Sequence, residues 1–310
     1  MGLHSGRALV LYAILGTWTL HSDGAIQIAN FSSLTNDRFT NDASFVADAL
    51  DLSGVAIADD GKWVTMLSSN VFISANHYHP GTGTSVTFYS GNDASGLSAT
   101  RTIDGGQRIG STDLWIGTLD SPLSNDFAFY GFATQDTTSL NSNSGAASSE
   151  NFTESPYALE TAYVFGRSDS SWSTSQDMAV GRNVLDYWLD NVTAGGTSDD
   201  ALVATVNPEN TGNYVNYEAY LQSGDSGAPL LSEDGTIVGL NWFIGTLGSN
   251  AINGFSYLGN YDAEIQAFLD SNSPVPEPAT SGLLLACLAL GFTCFRRRRR
   301  APPPVGNMHH

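Results

Sequence analysis

Along most of the chain the apolar residues come in short runs with partial alternation, set apart by Ser, Thr, Gly and Asn. The runs are GVAIA (54–58), KWVTML (62–67), NVFISA (70–75), SVTFYS (85–90), DLWIGTL (113–119), FAFYGFA (127–133), TAYVFG (161–166), ALVATV (201–206) and TIVGLNWFIG (236–245). β-Branched and aromatic residues in runs of this length, bounded by turn formers, predict strands. Many short strands in succession predict an all-β barrel or sandwich. One segment departs from the pattern: NYDAEIQAFLDS (260–271) places Ile265, Phe268 and Leu269 on one face and predicts a C-terminal helix. The stretch DTTSLNSNSGAASSENFTES (136–155) has no apolar period, so it reads as a surface loop or linker between two halves.

Both ends of the chain have a different pattern. Residues 1–25 begin with His4 and Arg7, continue through an apolar run at 8–20 and reach the small residues Ser22, Gly24 and Ala25. That order predicts an export signal cut near Ala25, and the run is shorter than the ~20 residues a membrane span needs. At the other end, VPEPATSGLLLACLALGFTCFRRRRR (275–300) joins Pro276, Glu277 and Pro278 to an apolar segment at 279–295 and to Arg296 through Arg300. Arginines beside a membrane segment stay in the cytoplasm, which puts the bulk of the chain on the opposite side. This three-part end resembles the PEP-CTERM sorting signal of Gram-negative bacteria. The resemblance implies a partner, a sorting enzyme that removes the tail and releases or anchors the protein at the cell surface. An ordinary C-terminal membrane anchor is the other reading. Residues 301–310 follow as a short tail.

Setting these ends aside changes the charge. The whole chain has 12 Lys and Arg against 31 Asp and Glu, a net of −19. Six of the cations (Arg7 and Arg296 to Arg300) and one acid (Asp23) lie outside residues 26–278, which leaves 6 against 30, or −24. Such a surface repels phosphate backbones and excludes nucleic acid as a partner. Both cysteines, Cys287 and Cys294, sit in the tail segment, so the exported part has no disulfide to staple it. About 250 residues suffice for one large core or two smaller ones without staples.

Candidate chemistry starts at LQSGDSGAPL (221–230), where Ser226 lies among small residues and one acid. Gly, Asp and Ser also make ordinary turns, so a nucleophile here needs a base. His4 and His21 belong to the signal and His309 and His310 to the tail, which leaves His77 and His79 in NVFISANHYHPG (70–81). Both follow directly on a strand-like run. As a His-x-His pair they suit a metal as well, with a carboxylate as the third ligand.

At this point the sequence resembles the chymotrypsin-type (trypsin-like) serine proteases. Ser74, Ala75, Asn76 and His77 match the family's Thr-Ala-Ala-His stretch at the small residue, the Ala and the His, with Tyr78 where a cysteine often follows. STDLWIGTLDSPL (111–123) matches the Asp-Ile-Ala-Leu strand start with Asp113, for which Asp104 and Asp120 are substitutes. Gly224, Asp225, Ser226, Gly227 and Pro229 match Gly-Asp-Ser-Gly-Gly-Pro, with Ala228 in place of a glycine. TIVGLNWF (236–243), with Trp242, looks like the strand beside the substrate pocket, and 253–269 like the closing strand and terminal helix.

The resemblance covers roughly residues 60–270 and implies two six-stranded β-barrels with a C-terminal helix. Barrel one then occupies about 26–135, the linker about 136–155, and barrel two with the helix about 156–272. It implies a serine endopeptidase in which Ser226 attacks the peptide carbonyl, His77 carries the proton and Asp113 orients His77. The oxyanion hole falls to the backbone N–H groups of Gly224 and Ser226, and the substrate pocket to Tyr220, Asn241, Trp242, Phe243 and Gly254. Neither a metal nor an organic cofactor is implied, the substrate is a protein or peptide, and the enzyme works as a monomer. Tyr220 at the pocket base, in place of an acid, points to neutral or apolar side chains at the cut. Cleavage after Ala25 frees Ile26, whose amine then pairs with Asp225. A catalytically inactive surface binding or adhesion protein on the same fold is the alternative.

Overall fold

The computed structural model describes residues 24–137, 145–146, 157–169 and 174–272. The signal, most of the 136–155 linker, the sorting segment at 273–300 with its membrane stretch 279–295, both cysteines and the 301–310 tail lie outside the described residues. Among the described residues no helix is long and apolar enough to cross a membrane.

A two-residue strand, β1 (Gln27–Ile28), and a one-turn helix, α1 (Ser33–Asn36), precede the first sheet. Its strands are β2 (Val55–Ile57), β3 (Trp63–Met66), β4 (Val71–Ala75), β5 (Ser85–Tyr89), β6 (Ser98–Arg108) and β7 (Leu114–Leu119). They pair antiparallel in the order β2-β3-β4-β7-β6-β5. The two ends of that order meet, because Ala58 bridges Val86 and the Asp59 N–H donates to Ser85 O at 2.9 Å. The sheet thereby curls into a barrel, which removes its open edges.

The second sheet follows with β8 (Gly145–Ala146), β9 (Thr161–Gly166), β10 (Ala179–Val184), β11 (Tyr187–Ala194) and β12 (Thr197–Thr205). Past β13 (Ala219–Tyr220), which pairs with β1, it resumes with β14 (Pro229–Ser232), β15 (Ile237–Leu247) and β16 (Asn250–Tyr257). Its order is β10-β9-β14-β15-β16-β12-β11-β8, eight strands where six are expected. The additional pairing comes from a hairpin: Gly195 and Gly196 both have positive φ (58° and 80°), the requirement of a two-residue turn between β11 and β12. Just past β10, the Asp186 N–H donates to Val203 O at 2.9 Å, which brings the first strand of this order round to β12.

The C-terminal helix is α2 (Asp262–Asn272), entered through a 3-10 turn at Gly259–Tyr261. Ile265 is fully buried, and Phe268 and Leu269 pack half-buried against the same core. The run FAFYGFA does not become a strand. Its apolar residues Phe127 and Tyr130 are buried along an extended crossing, where the Tyr130 N–H donates to Met66 O (3.0 Å) and the Ala133 N–H to Ile237 O (2.9 Å).

Every residue of β4 is buried, because both faces of the strand are covered. Val71 and Ile73 join Leu114, Ile116, Phe165, Leu231, Ile237 and Leu240 in a core that includes residues of both sheets. Phe72 points the other way, into the first barrel, with Trp115, Val86 and Phe88. Trp115 fits there because its neighbours Gly106 and Gly117 are bare; a Cβ on either lies 2.2 Å from the indole. The shared core holds β4 and the start of β7 against the second sheet, and the candidate site lies there.

Candidate active site

The last residue of β4, Ala75, leads into a 3-10 turn, Asn76–Tyr78, which carries His77. The Asn76 N–H donates to Asp113 O at 2.7 Å, so this turn is tied to the residue just before β7. Asp113 is almost fully buried (1% exposed), and both its oxygens are engaged. Oδ1 accepts the His77 backbone N–H at 3.0 Å and Oδ2 faces His77 Nδ1 at 2.6 Å. A carboxylate held this way at Nδ1 leaves Nε2 as the free, partly exposed edge of a ring whose side chain is 28% accessible.

The structure separates the two candidate histidines. His79 stacks on Trp115 with ring centroids 4.4 Å apart and planes within 2°, and its Nδ1 bonds to Pro80 O at 3.0 Å. Each histidine thus has its own partner. Among the described residues no three His, Cys, Asp or Glu side chains gather into a metal-binding set. Of the substitute acids, Asp120 accepts from the Thr102 N–H and the Ser121 hydroxyl on the surface and Asp104 lies exposed in β6, away from the imidazole that Asp113 holds.

Ser226 sits on the second of two successive turns. The Asp225 N–H donates to Gln222 O (3.1 Å) and the Ala228 N–H to Asp225 O (3.2 Å). Each turn has glycine at its third position, Gly224 with φ 99° and Gly227 with φ 85°. That left-handed step is open to glycine and costly for other residues, so the repeated Gly-x-x-Gly spacing is what the double turn needs. Gly227 also sits hard against the end of β4: a Cβ there lies 2.9 Å from both Ala75 N and Ser74 Oγ. The residue after Ser226 therefore touches the residues just before His77. Among the described residues neither the Gly224 nor the Ser226 N–H donates a hydrogen bond, so both are unspent at the turn.

Asp225, fully buried, braces this loop from behind. Its Oδ1 accepts the Arg167 N–H and its Oδ2 the Gln222 N–H, each at 2.8 Å. Asn241 adds a second brace, its Nδ2 donating to Asp225 O (3.0 Å) and Phe165 O (2.7 Å). The Ile26 N–H donates to Arg167 O at 2.9 Å, and Ile26 lies beside the same carboxylate, since a Cβ on Gly166 meets Ile26 Cβ at 2.6 Å and Asp225 Oδ1 at 2.7 Å. The chain on either side of Ile26 is held to the same loop, with Gln27 paired to Tyr220 and the Gly24 N–H donating to Ser223 O at 3.1 Å.

Beside Ser226 lies a cavity of about 180 Å³, lined by Leu221, Gln222, Ser223 and Asp225 on one side and by Asn241, Trp242, Phe243 and Ile244 on the other. Two of the expected pocket residues stand outside it. Tyr220 is taken up in β13, and Gly254 lies beneath the ring of Phe243. Leu221, Gln222, Ser223 and Ile244 were not singled out by the sequence; their one signal was nearness in the chain to Ser226 or Trp242. Past Asn241, whose N–H donates to Ala228 O, β15 pairs with β16 on one side and with no described strand on the other.

Behind Asp113 lies a further carboxylate. Asp199, 4% exposed, accepts the Tyr261 hydroxyl at 2.5 Å and the Asp200 N–H at 2.8 Å, with the Asp113 N–H at 3.4 Å. Burial pushes Asp199 up to about 6. Burial, with Asp190 alongside, does the same to Asp200, and burial near Asp177 raises Asp37 to about 6. A carboxyl that holds its proton more tightly folded than unfolded stabilises fully below its ordinary value of 3.8 and loses that contribution as pH rises through about 6. Thermal unfolding followed by circular dichroism should therefore show Tm falling between pH 4 and pH 7, and Asp199→Asn should flatten that slope. A Tm that climbs steadily over this range in the parent would contradict the assignment.

Residues 274–300 match the PEP-CTERM protein-sorting motif. The C-terminus is a sorting signal. It marks an exported protein sorted to the cell surface of a Gram-negative bacterium. No curated protein matches the chain. Among solved structures, an atomic-resolution structure of HBP is similar with TM-score 0.47 and 17% identity, over 74% of this chain and 95% of that one. Human heparin binding protein is similar with TM-score 0.46 and 16% identity, over the same shares.

Proposed function

We propose that this PEP-CTERM protein is an exported serine endopeptidase that works through an acyl-enzyme. The observation that carries the reading is the 2.6 Å contact of Asp113 Oδ2 with His77 Nδ1, on a turn whose preceding residues pack against the turn of Ser226. In this reading Ser226 Oγ attacks the scissile carbonyl while His77 Nε2 removes its proton and later delivers it to the leaving amine. Asp113 is a positioning residue: it fixes the tautomer with the proton on Nδ1 and stabilises the imidazolium that forms. The unspent N–H groups of Gly224 and Ser226 receive the oxyanion, each such donor being worth about 3–4 kcal/mol of transition-state stabilisation.

The open side of β15 past Asn241 supports a peptide substrate over a small ester. An extended chain adds to such an edge through its backbone, which gives affinity with little demand on sequence. The functional domain in this proposal runs from about 26 to 272, after a signal at 1–25 and ahead of the tail that the sorting enzyme takes.

A fluorophosphonate probe tests the reading, because it reacts with an activated serine and leaves an ordinary one alone. Labelling of the secreted protein should vanish in Ser226→Ala and in His77→Ala. Absence of labelling in a parent protein that unfolds cooperatively would instead favour a surface binding or adhesion protein.

A further inference from the structure

The N–H groups of Gly224 and Ser226 flank a single peptide unit, the Gly224–Asp225 plane. In a trans peptide the N–H and C=O point in opposite directions, and none of the described peptide bonds is cis. Asp225 O accepts Asn241 Nδ2 (3.0 Å) and the Ala228 N–H (3.2 Å), which turns the Ser226 N–H the other way. The Gly224–Asp225 plane is gripped at both ends. Its N–H, that of Asp225, donates to Gln222 O at 3.1 Å, and its carbonyl, Gly224 O, accepts two side-chain donors, Trp63 Nε1 at 3.2 Å and Arg167 Nε at 3.4 Å.

These two donors come from different sheets. Trp63 opens β3 in the first and is fully buried; Arg167 follows β9 in the second and is 1% exposed. Arginine is seldom buried to this extent, and this one is directed at main-chain carbonyls of two loops. Besides Gly224 O, its guanidinium donates to Gly61 O, two residues before Trp63 in the turn between β2 and β3, while its backbone N–H holds Asp225 Oδ1. Gly224 is the residue that needs such a grip. With φ 99° and no Cβ, its own sterics do little to stop the plane from swinging. A swing shifts the Gly224 N–H relative to that of Ser226, and the pair no longer shares one target.

We infer that Trp63 and Arg167 are positioning residues of the oxyanion hole, which hold the Gly224 carbonyl so that the Gly224 and Ser226 N–H groups stay aimed at the anion. This rests on the acyl-enzyme reading of Ser226. Both side chains are buried, and they act on the reaction through Gly224 O alone.

The test uses the secreted protein, a peptide p-nitroanilide that it cuts and a trifluoromethyl ketone of the same peptide. Ser226 Oγ adds to the ketone carbonyl, its proton passes to His77 Nε2 and the carbonyl π pair becomes the oxyanion, so Ki reports on the hole without a leaving group. Trp63→Phe keeps an apolar ring and removes the N–H, and Arg167→Met removes the Nε donor. Each should lower kcat roughly ten-fold and raise the ketone Ki by the same factor, with KM within about two-fold. The loss is smaller than the ~10²–10³ of a deleted donor because the N–H is misaimed and not removed, and the double variant should approach that range. The sulfur isostere of Trp63, in which a thioether replaces the indole N–H, keeps the shape and should show the same loss; it decides the case if Trp63→Phe does not fold. A merely structural pair would lower the urea midpoint and leave kcat and Ki at parental values. That result, in variants that still unfold cooperatively, overturns the proposal. Fluorophosphonate labelling keeps it apart from the catalytic reading: a labelled parent matched by its variants sinks the positioning roles alone, and an unlabelled parent inert to substrate and ketone sinks both.

Discussion

Ser226→Ala is expected to lower peptide hydrolysis by about 10⁶-fold, and His77→Ala by a similar factor, because nucleophile and base act as one unit. For the same reason the double variant should be no worse than either single one. Asp113→Asn should cost about 10⁴-fold. The amide can no longer accept at Nδ1 in the way that the carboxylate does at 2.6 Å, and the ring is left to favour the wrong tautomer. His79→Ala is the internal control. It removes a ring stacked on Trp115 and away from Asp113, so kcat should stay within a few-fold while stability falls by about 1 kcal/mol. Steady-state kinetics on a peptide p-nitroanilide that the parent cuts measures all five variants against it. An Asp113→Asn protein with near-parental kcat, or a His79→Ala protein as dead as His77→Ala, would falsify the assignment of roles.

Asp225→Ala should be the most destabilising single change near the site, by about 3–5 kcal/mol in urea unfolding. The carboxylate is fully buried and accepts two backbone N–H groups at 2.8 Å, and a hydrogen bond to a charged group contributes about 1.5–3 kcal/mol. Alanine leaves the Gln222 and Arg167 amides buried without that acceptor. Activity should fall with stability, because the Gln222–Asp225 turn aims Gly224 and leads directly into Ser226. Asp225→Asn keeps one acceptor oxygen and should land between the parent and Asp225→Ala on both measures. An Asp225→Ala protein that unfolds at the parental midpoint would show that the loop is held by something else.

These two expectations draw on different levels of information. Ser226 and the pair of histidines were legible in the chain because their chemistry depends on residue type and on scarcity: two histidines remain once the ends are set aside. The buried strands were legible for a related reason. β4, β7, β9 and the first half of β15 are covered on both faces, so each reads as an apolar run. β6 and β11 were missed because they are half exposed and rich in Thr, Asp, Asn and Gly, so their pattern does not stand out from that of a loop. FAFYGFA misled in the opposite direction. Burial made it apolar, but the segment crosses from one sheet to the other and joins no ladder.

By itself the sequence determined the fold class, the terminal helix, the sorting tail, the acidic surface and the short list of residues able to do acyl chemistry. Residue type, periodicity and composition are enough for such properties, since each is local or additive along the chain. Only the tertiary structure decided which histidine Asp113 takes, what holds Asp225, and that Phe243 lies over Gly254 while Tyr220 is spent in a strand. Each of these is a contact between residues distant in the chain or set by a register: His77 and Asp113 stand 36 positions apart. A one-residue bulge at Trp242 carries Phe243 to Gly254. Such pairings depend on how sheets close and slip, and no property of either residue alone encodes them.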